Sequence, residues 1–207
     1  MEATGGRLPF LEWGIAGRPI SGETESGDQY VVHSWPGGAL LAVIDGLGHG
    51  PAAALAANEA VAILQAHAQE PLVPLVGRCH EALRRTNGAV MTLAAFRASD
   101  NCLTWLGVGN VEGLLLRADA LARRPRDDVL QRGGVVGYQL PPLQTSALVV
   151  GEGDILIFAT DGVRGRFADR LDLERPPQEV ALDVLDSHAR PNDDALVLVA
   201  RFSALAP

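Results

Sequence analysis

The chain has 207 residues, 25 acidic side chains against 17 basic ones, a net charge of −8 and 47% hydrophobic residues, the composition of one compact soluble domain. A chain of this length buries about 70% of the surface its unfolded form exposes, so it needs neither disulfides nor structural zinc to build a core. Every basic residue is arginine, which excludes a Walker lysine, a kinase-type strand lysine and a Schiff-base nucleophile, and the acidic balance argues against a dedicated nucleic-acid binder.

Residues 11–19 and 29–34 read as strands, and the Trp35-Pro36-Gly37-Gly38 turn signal joins the second of them to a third at 39–44. That third run is apolar at every position, which predicts a strand covered on both faces. Glycines at 46, 48 and 50, then Pro51 and an alanine-rich stretch to about His67, predict a helix with a Gly-rich entry. Pro71 and Pro74 open a second helix that stops at Asn87-Gly88. Strand-like text returns at 89–98, 102–108 and 111–117, and residues 118–142 read as exposed and irregular. Strands resume at 145–150 and 155–159, followed by an amphipathic helix at 177–189 and a buried strand at 195–202. Strand runs broken by paired helices predict an α+β layered domain.

Residues 1–9 lack the charged-then-apolar order of a signal peptide, and no apolar run reaches the ~18 residues of a membrane helix. The expectation is a cytoplasmic monomer that binds neither membrane nor nucleic acid. Cys79 and Cys102 lie in no CxxC or Cys/His cluster and read as small hydrophobes. The five histidines show no HxxxH-type spacing, and His67, His80 and His188 read as helix-surface residues.

The informative pattern is the placement of aspartates at the ends of the apolar strands. Asp28 precedes one strand, Asp45 follows the next, Asp161 follows 155–160, and Asp193 and Asp194 precede 195–202. With Pro36 and Gly37 at the turn centre, Asp28 faces Asp45 across the first hairpin. If the strands ending at Asp161 and starting after Asp193 are antiparallel, their carboxylates share an edge as well. A single Asp at such a place is ordinarily a cap or turn former. Carboxylates crowded at four buried strand ends repel one another unless they are protonated or share a cation. An all-oxygen donor set selects Mg²⁺ or Mn²⁺ over zinc, and two such ions can share a water, acidify it and hold a phosphoryl oxygen for in-line attack.

Asp45-Gly46-Leu47-Gly48-His49-Gly50 resembles the DGxGHG motif of the SpoIIE-type branch of the PP2C (PPM) metal-dependent serine/threonine phosphatases. Thr160-Asp161-Gly162, Asn192-Asp193-Asp194-Ala195 and Ser26-Gly27-Asp28 resemble that family's [ST]DG, terminal DD and early GD motifs, in the same order. The resemblance implies a four-layer αββα sandwich of two antiparallel sheets flanked by helices. It implies a centre of two Mn²⁺ or Mg²⁺ ions on Asp28, Asp45, the Gly46 carbonyl, Asp161 and Asp193, with Asp45 and Asp161 central to catalysis. Within the branch the chain is most like RsbX-type phosphatases, which implies phosphorylated STAS-domain or anti-anti-sigma-type partners of stressosome signalling.

Several positions depart from the family pattern. Asn110 stands where many members carry an Asp that helps to hold a third ion. Leu47 and Thr24 occupy about the places of a family histidine and a phosphate-binding arginine. His49 is a candidate general acid by its chemistry, its other role being to orient the Gly-rich turn or cap the helix. Arg164 and Arg166 are candidates to grip phosphate, their other reading being solvated loop charges. The rival class is a non-catalytic PPM-like module that binds a phosphorylated partner. A Rossmann fingerprint is excluded because Gly50 comes one residue early for GxGxxG, and no Ser lies in GxSxG.

Overall fold

The computed structural model describes residues 2–119 and 125–203. In chain order the elements are β1 (Glu2–Leu8), β2 (Leu11–Arg18), β3 (Asp28–Trp35), β4 (Gly38–Gly46), α1 (Gly50–Ala66), α2 (Leu72–Ala82), β5 (Ala89–Arg97) and β6 (Cys102–Val108). They continue with β7 (Glu112–Leu116), β8 (Arg126–Asp128), β9 (Gln131–Arg132), β10 (Ser146–Val149), β11 (Ile155–Ala159), α3 (Pro177–His188) and β12 (Ala195–Phe202). One sheet has the order β1-β2-β12-β11-β7-β8, and the other β10-β6-β5-β4-β3 with β9 also on β6. All of these pairings are antiparallel except the short β6–β9 contact.

The fully apolar runs build the layers, because a strand buried on both faces sends alternate side chains to two different cores. In β4, Ala39, Leu41 and Val43 enter the core between the sheets, while Leu40, Ala42 and Ile44 pack under α1 and α2. In β12, Leu196, Leu198, Ala200 and Phe202 join the same central core, while Val197 and Val199 face α3. The result is the expected αββα sandwich, an α+β fold of four layers. At roughly 2 kcal/mol per buried large apolar side chain, the alternation fixes the register, since a one-residue slip would exchange the two faces.

Two departures from the sequence reading have local causes. β1 was not expected, because Gly5 and Gly6 are poor strand formers. It forms by pairing along its whole length with β2, from Glu2 opposite Gly17 to Leu8 opposite Leu11. The stretch 118–142 is more ordered than expected where it is described, while residues 120–124 lie outside the described part. Arg117 bonds Asp127 at 2.7 Å and Asp154 at 2.9 Å, which ties β8 and the turn before β11 to the end of β7. Cys79 is buried in the layer under α1 and α2, and burial pushes its thiol up to about 12. Among the described residues no helix is long and apolar enough to cross a membrane.

Candidate metal centre

The β3–β4 hairpin turns through Pro36-Gly37, with Trp35 opposite Gly38, and the register carries Asp28 to face Asp45 at the open end. β11 and β12 are antiparallel, with Ala159 opposite Val197, so Asp161 and the Asp193-Asp194 doublet leave the sheet at one end. The step that sequence could not supply is the meeting of the two pairs, which lie on different sheets. Thr160 makes it: its hydroxyl donates to Asp28 Oδ2 at 2.7 Å and accepts from the Leu196 N–H at 2.9 Å. One buried side chain thus bonds both sheets at the edge where the carboxylates lie.

Asp45, Asp161 and Asp193 line a cleft of about 530 Å³, with Asn110 on the same wall and Gly133, Gly134 and Val135 opposite. Asp28 is buried behind them. Burial drives its carboxyl well above the ordinary carboxylate range, repulsion from Asp45 adds to this, and the Thr160 hydroxyl opposes it. Burial first, and then Asp161 and Asp193, push Asp45 up to about 7. Asp193 is raised as well, by burial and then by Asp161. Such shifts record charge held in a poorly hydrated place near like charge.

The turns around the carboxylates are fixed by close packing. A Cβ on Gly46 would stand 2.2 Å from the Ala53 carbonyl oxygen, and one on Gly162 would stand 1.7 Å from that of Asp194. Only glycine lets α1 approach the end of β4 and the Asp161 turn approach β12. The Gly46 N–H donates to the Gly27 carbonyl at 3.0 Å, which seats the two turns of the hairpin end together.

Three residues act here in ways the sequence did not show. Asp194 turns away from the cleft and accepts the Ile20 N–H at 2.7 Å and the Gly27 N–H at 2.8 Å, pinning the β2–β3 loop. Asn110, standing where many members of the family carry an Asp, donates its Nδ2 to Asp161 Oδ2 at 2.7 Å and so orients that carboxylate. His80 accepts the Gly137 N–H on Nδ1 at 3.0 Å, holding the loop that supplies the opposite wall. The sequence signals, a doublet of Asp, a Gly-Asn pair and a helix His, do not tell which role applies.

The remaining candidates lie apart from the cleft lining. His49 caps α1 with extended backbone, its side chain is 65% exposed, and its Nδ1 is 3.2 Å from Glu23 Oε1. Arg166 lines a separate cavity against α3, and the backbone N–H of Arg164 donates to the His188 carbonyl at 2.9 Å.

Among the described residues no three His, Cys, Asp or Glu side chains converge closely enough to hold an ion as they stand, and Asp28 and Asp161 each turn an oxygen to a neighbouring donor. The donor set nevertheless fits a hard divalent cation: it is all oxygen, and among the described residues no basic side chain lines the cleft beside it.

The chain is similar to known proteins over most of its length. The family described as Stage II sporulation protein E (SpoIIE) matches residues 36–203. A solved chain described as "The bacterial stressosome: a modular system that has been adapted to control secondary messenger signaling" is 31% identical with a TM-score of 0.84, the match covering 92% of this chain and 99% of that one. RsbX in complex with magnesium is 19% identical with a TM-score of 0.87, covering 98% and 100%. The catalytic domain of the serine/threonine phosphatase PstP in complex with two manganese ions is 19% identical with a TM-score of 0.70, covering 94% and 99%. No curated protein sequence matches. The chain belongs to the SpoIIE family of PP2C-type serine/threonine phosphatases. It is a phosphoprotein phosphatase, a hydrolase.

Proposed function

We propose that Asp28, Asp45, the Gly46 carbonyl, Asp161 and Asp193 hold two divalent cations, Mn²⁺ or Mg²⁺, and that the cleft hydrolyses phosphoserine and phosphothreonine of STAS-domain stress-signalling proteins. The observation that carries the metal reading is the joining of the two acidic strand ends by Thr160. When bound, such cations supply an acidified water and neutralise phosphoryl charge. The protein's own part is positional. Thr160 holds Asp28, Asn110 holds Asp161, and Asp194 holds the loop that leads into Asp28. The cleft is open and shallowly walled by glycines, which suits a phosphorylated side chain presented on a folded partner.

The substrate assignment is supported by the 31% identical chain described in a stressosome context and by the likeness to RsbX. Its test is dephosphorylation of phosphorylated STAS proteins from the same genome, and failure on all of them removes the stressosome assignment while leaving the chemistry in place. The hydrolytic reading is tested by Mn²⁺-dependent hydrolysis of p-nitrophenyl phosphate, expected in the wild type and lost in Asp45→Asn. An inert wild type that still binds a phosphorylated partner would make the chain a binding module.

A further inference from the structure

The cleft is lined by two chemistries, and the proposed ions account for one of them. Asp45, Asn110, Asp161 and Asp193 supply its polar side chains, Leu47, Val90 and Val135 its apolar ones, and the rest of the lining is glycine. Its volume of about 530 Å³ falls in the range of roughly 300–1,000 Å³ that holds a drug-sized ligand, which leaves room beside a phosphoryl group for a further side chain of the substrate.

The three apolar side chains belong together. Val90 is paired with Asp45 across β4 and β5, so the two side chains leave the same face of the sheet with their Cβ atoms about 5 Å apart. Val90 is part of the core between the sheets and 8% exposed, and Leu47 and Val135 pack against that core with part of their surface open. Gly88 joins these last two: its carbonyl accepts the Leu47 N–H at 3.0 Å, and a Cβ on it would stand 2.7 Å from Val135 Cγ1. The backbone beneath the wall is held on both sides. Asn87 Nδ2 donates to the Leu47 carbonyl at 3.2 Å, and Val135 and Gln139 exchange two backbone bonds of 2.8 Å. A Cβ on Gly109 would stand 2.2 Å from Val90 Cγ1, so the turn after β6 closes against the wall only as glycine.

Resting on the phosphatase reading above, we propose that Leu47, Val90 and Val135 form a specificity wall that receives an aliphatic side chain adjacent to the phosphorylated residue, so that the cleft selects phosphosites flanked by Leu, Ile or Val. With Val90 beside Asp45, a phosphate held at the carboxylates puts the next residue of the substrate, one Cα step of about 3.8 Å away, within reach of the wall. None of the three side chains offers a hydrogen bond, so a charged or amide neighbour loses its water there without gaining a partner. The wall therefore works by exclusion as well as attraction. Its fixed backbone keeps the ordering cost of that contact low. The γ-methyl of a phosphothreonine buries far less surface than a flanking Leu, so the neighbour, and not the methyl, sets the preference.

The test compares phosphoserine peptides that differ only in the residues on either side of the phosphoserine, which are Leu, Gly or Asp, together with a Gly-flanked phosphothreonine peptide. With the Mn²⁺-loaded protein, kcat and KM are measured from released phosphate, and binding from the fluorescence polarisation of labelled peptides. The wild type is expected to hydrolyse the Leu-flanked peptide with a kcat/KM about tenfold above that of the Gly-flanked one, chiefly through KM, and to take the Asp-flanked one least. In Leu47→Ser and in Val135→Ser the Leu-to-Gly ratio should fall to about threefold or less, with melting temperature and Mn²⁺ binding as folding controls and Leu47→Ala and Val135→Ala as replacements for a variant that does not fold. A wild-type ratio near one overturns the proposal, as does a ratio that the folded variants keep, or a gain from the phosphothreonine methyl larger than the gain from Leu. A wild type that hydrolyses no peptide but binds the Leu-flanked one more tightly, with the preference lost in the variants, upholds the wall and removes the hydrolytic reading instead. One that binds none of the peptides overturns the proposal.

Discussion

Replacing Asp45 by Asn should move stability and function in opposite directions. In the metal-free chain, burial and the neighbouring carboxylates push Asp45 from the ordinary 3.8 up to about 7, so holding it ionised above pH 7 costs roughly 4 kcal/mol as an upper bound. Because folding raises this pKa, the corresponding stability is fully present below 3.8 and is lost as pH rises through about 7. Asn has nearly the same shape without the charge. At pH 7.5 in a chelator, Asp45→Asn is expected to melt at least about 5 °C above the wild type, given roughly 2–4 °C per kcal/mol for a chain of this size. The gap should close at pH 4, where the wild-type carboxyl is protonated. Added Mn²⁺ should then raise the wild-type melting temperature and leave the variant nearly unmoved, since only a group that binds the native state stabilises it. Thermal unfolding followed by circular dichroism at the two pH values, with chelator or Mn²⁺, measures all of this. A metal-free variant less stable than the wild type at pH 7.5 would refute the electrostatic reasoning, whatever its activity.

Other substitutions separate positioning from packing. Thr160→Val leaves the Leu196 N–H and the Asp28 carboxylate without their shared partner, and is expected to cost about 2 kcal/mol in urea unfolding and to weaken Mn²⁺ binding. Gly162→Ala places a Cβ 1.7 Å from the Asp194 carbonyl oxygen and should cost more than about 4 kcal/mol, seen as loss of soluble folded protein. His49→Gln should lower stability slightly and kcat by less than about tenfold, because the ring lies outside the cleft lining; a fall of about 100-fold or more, with loss of one limb of the pH profile, would make it the general acid.

The parts of the structure legible in the sequence are those governed by nearest neighbours. The turn at Pro36-Gly37 set the Asp28–Asp45 register by counting alone, and unbroken apolar runs gave away β4 and β12 as strands buried on both faces. β1 escaped because its order comes from β2 and not from its own glycine-bearing residues. The union of the two acidic pairs escaped because it depends on one hydroxyl bonded to a carboxylate 132 positions away. Nothing in an Asp-Asp doublet tells which carboxylate enters a cleft and which pins a loop. Here alternation along the chain gives Asp193 to the first and Asp194 to the second.

The central claim, that these distant carboxylates form one cation-binding centre, is tested most directly by calorimetric titration of the metal-free protein with Mn²⁺. Two ions should bind per chain, with the stoichiometry reduced in Asp161→Asn and binding abolished in Asp45→Asn. An absence of heat at millimolar Mn²⁺, or a titration that neither substitution alters, would contradict it.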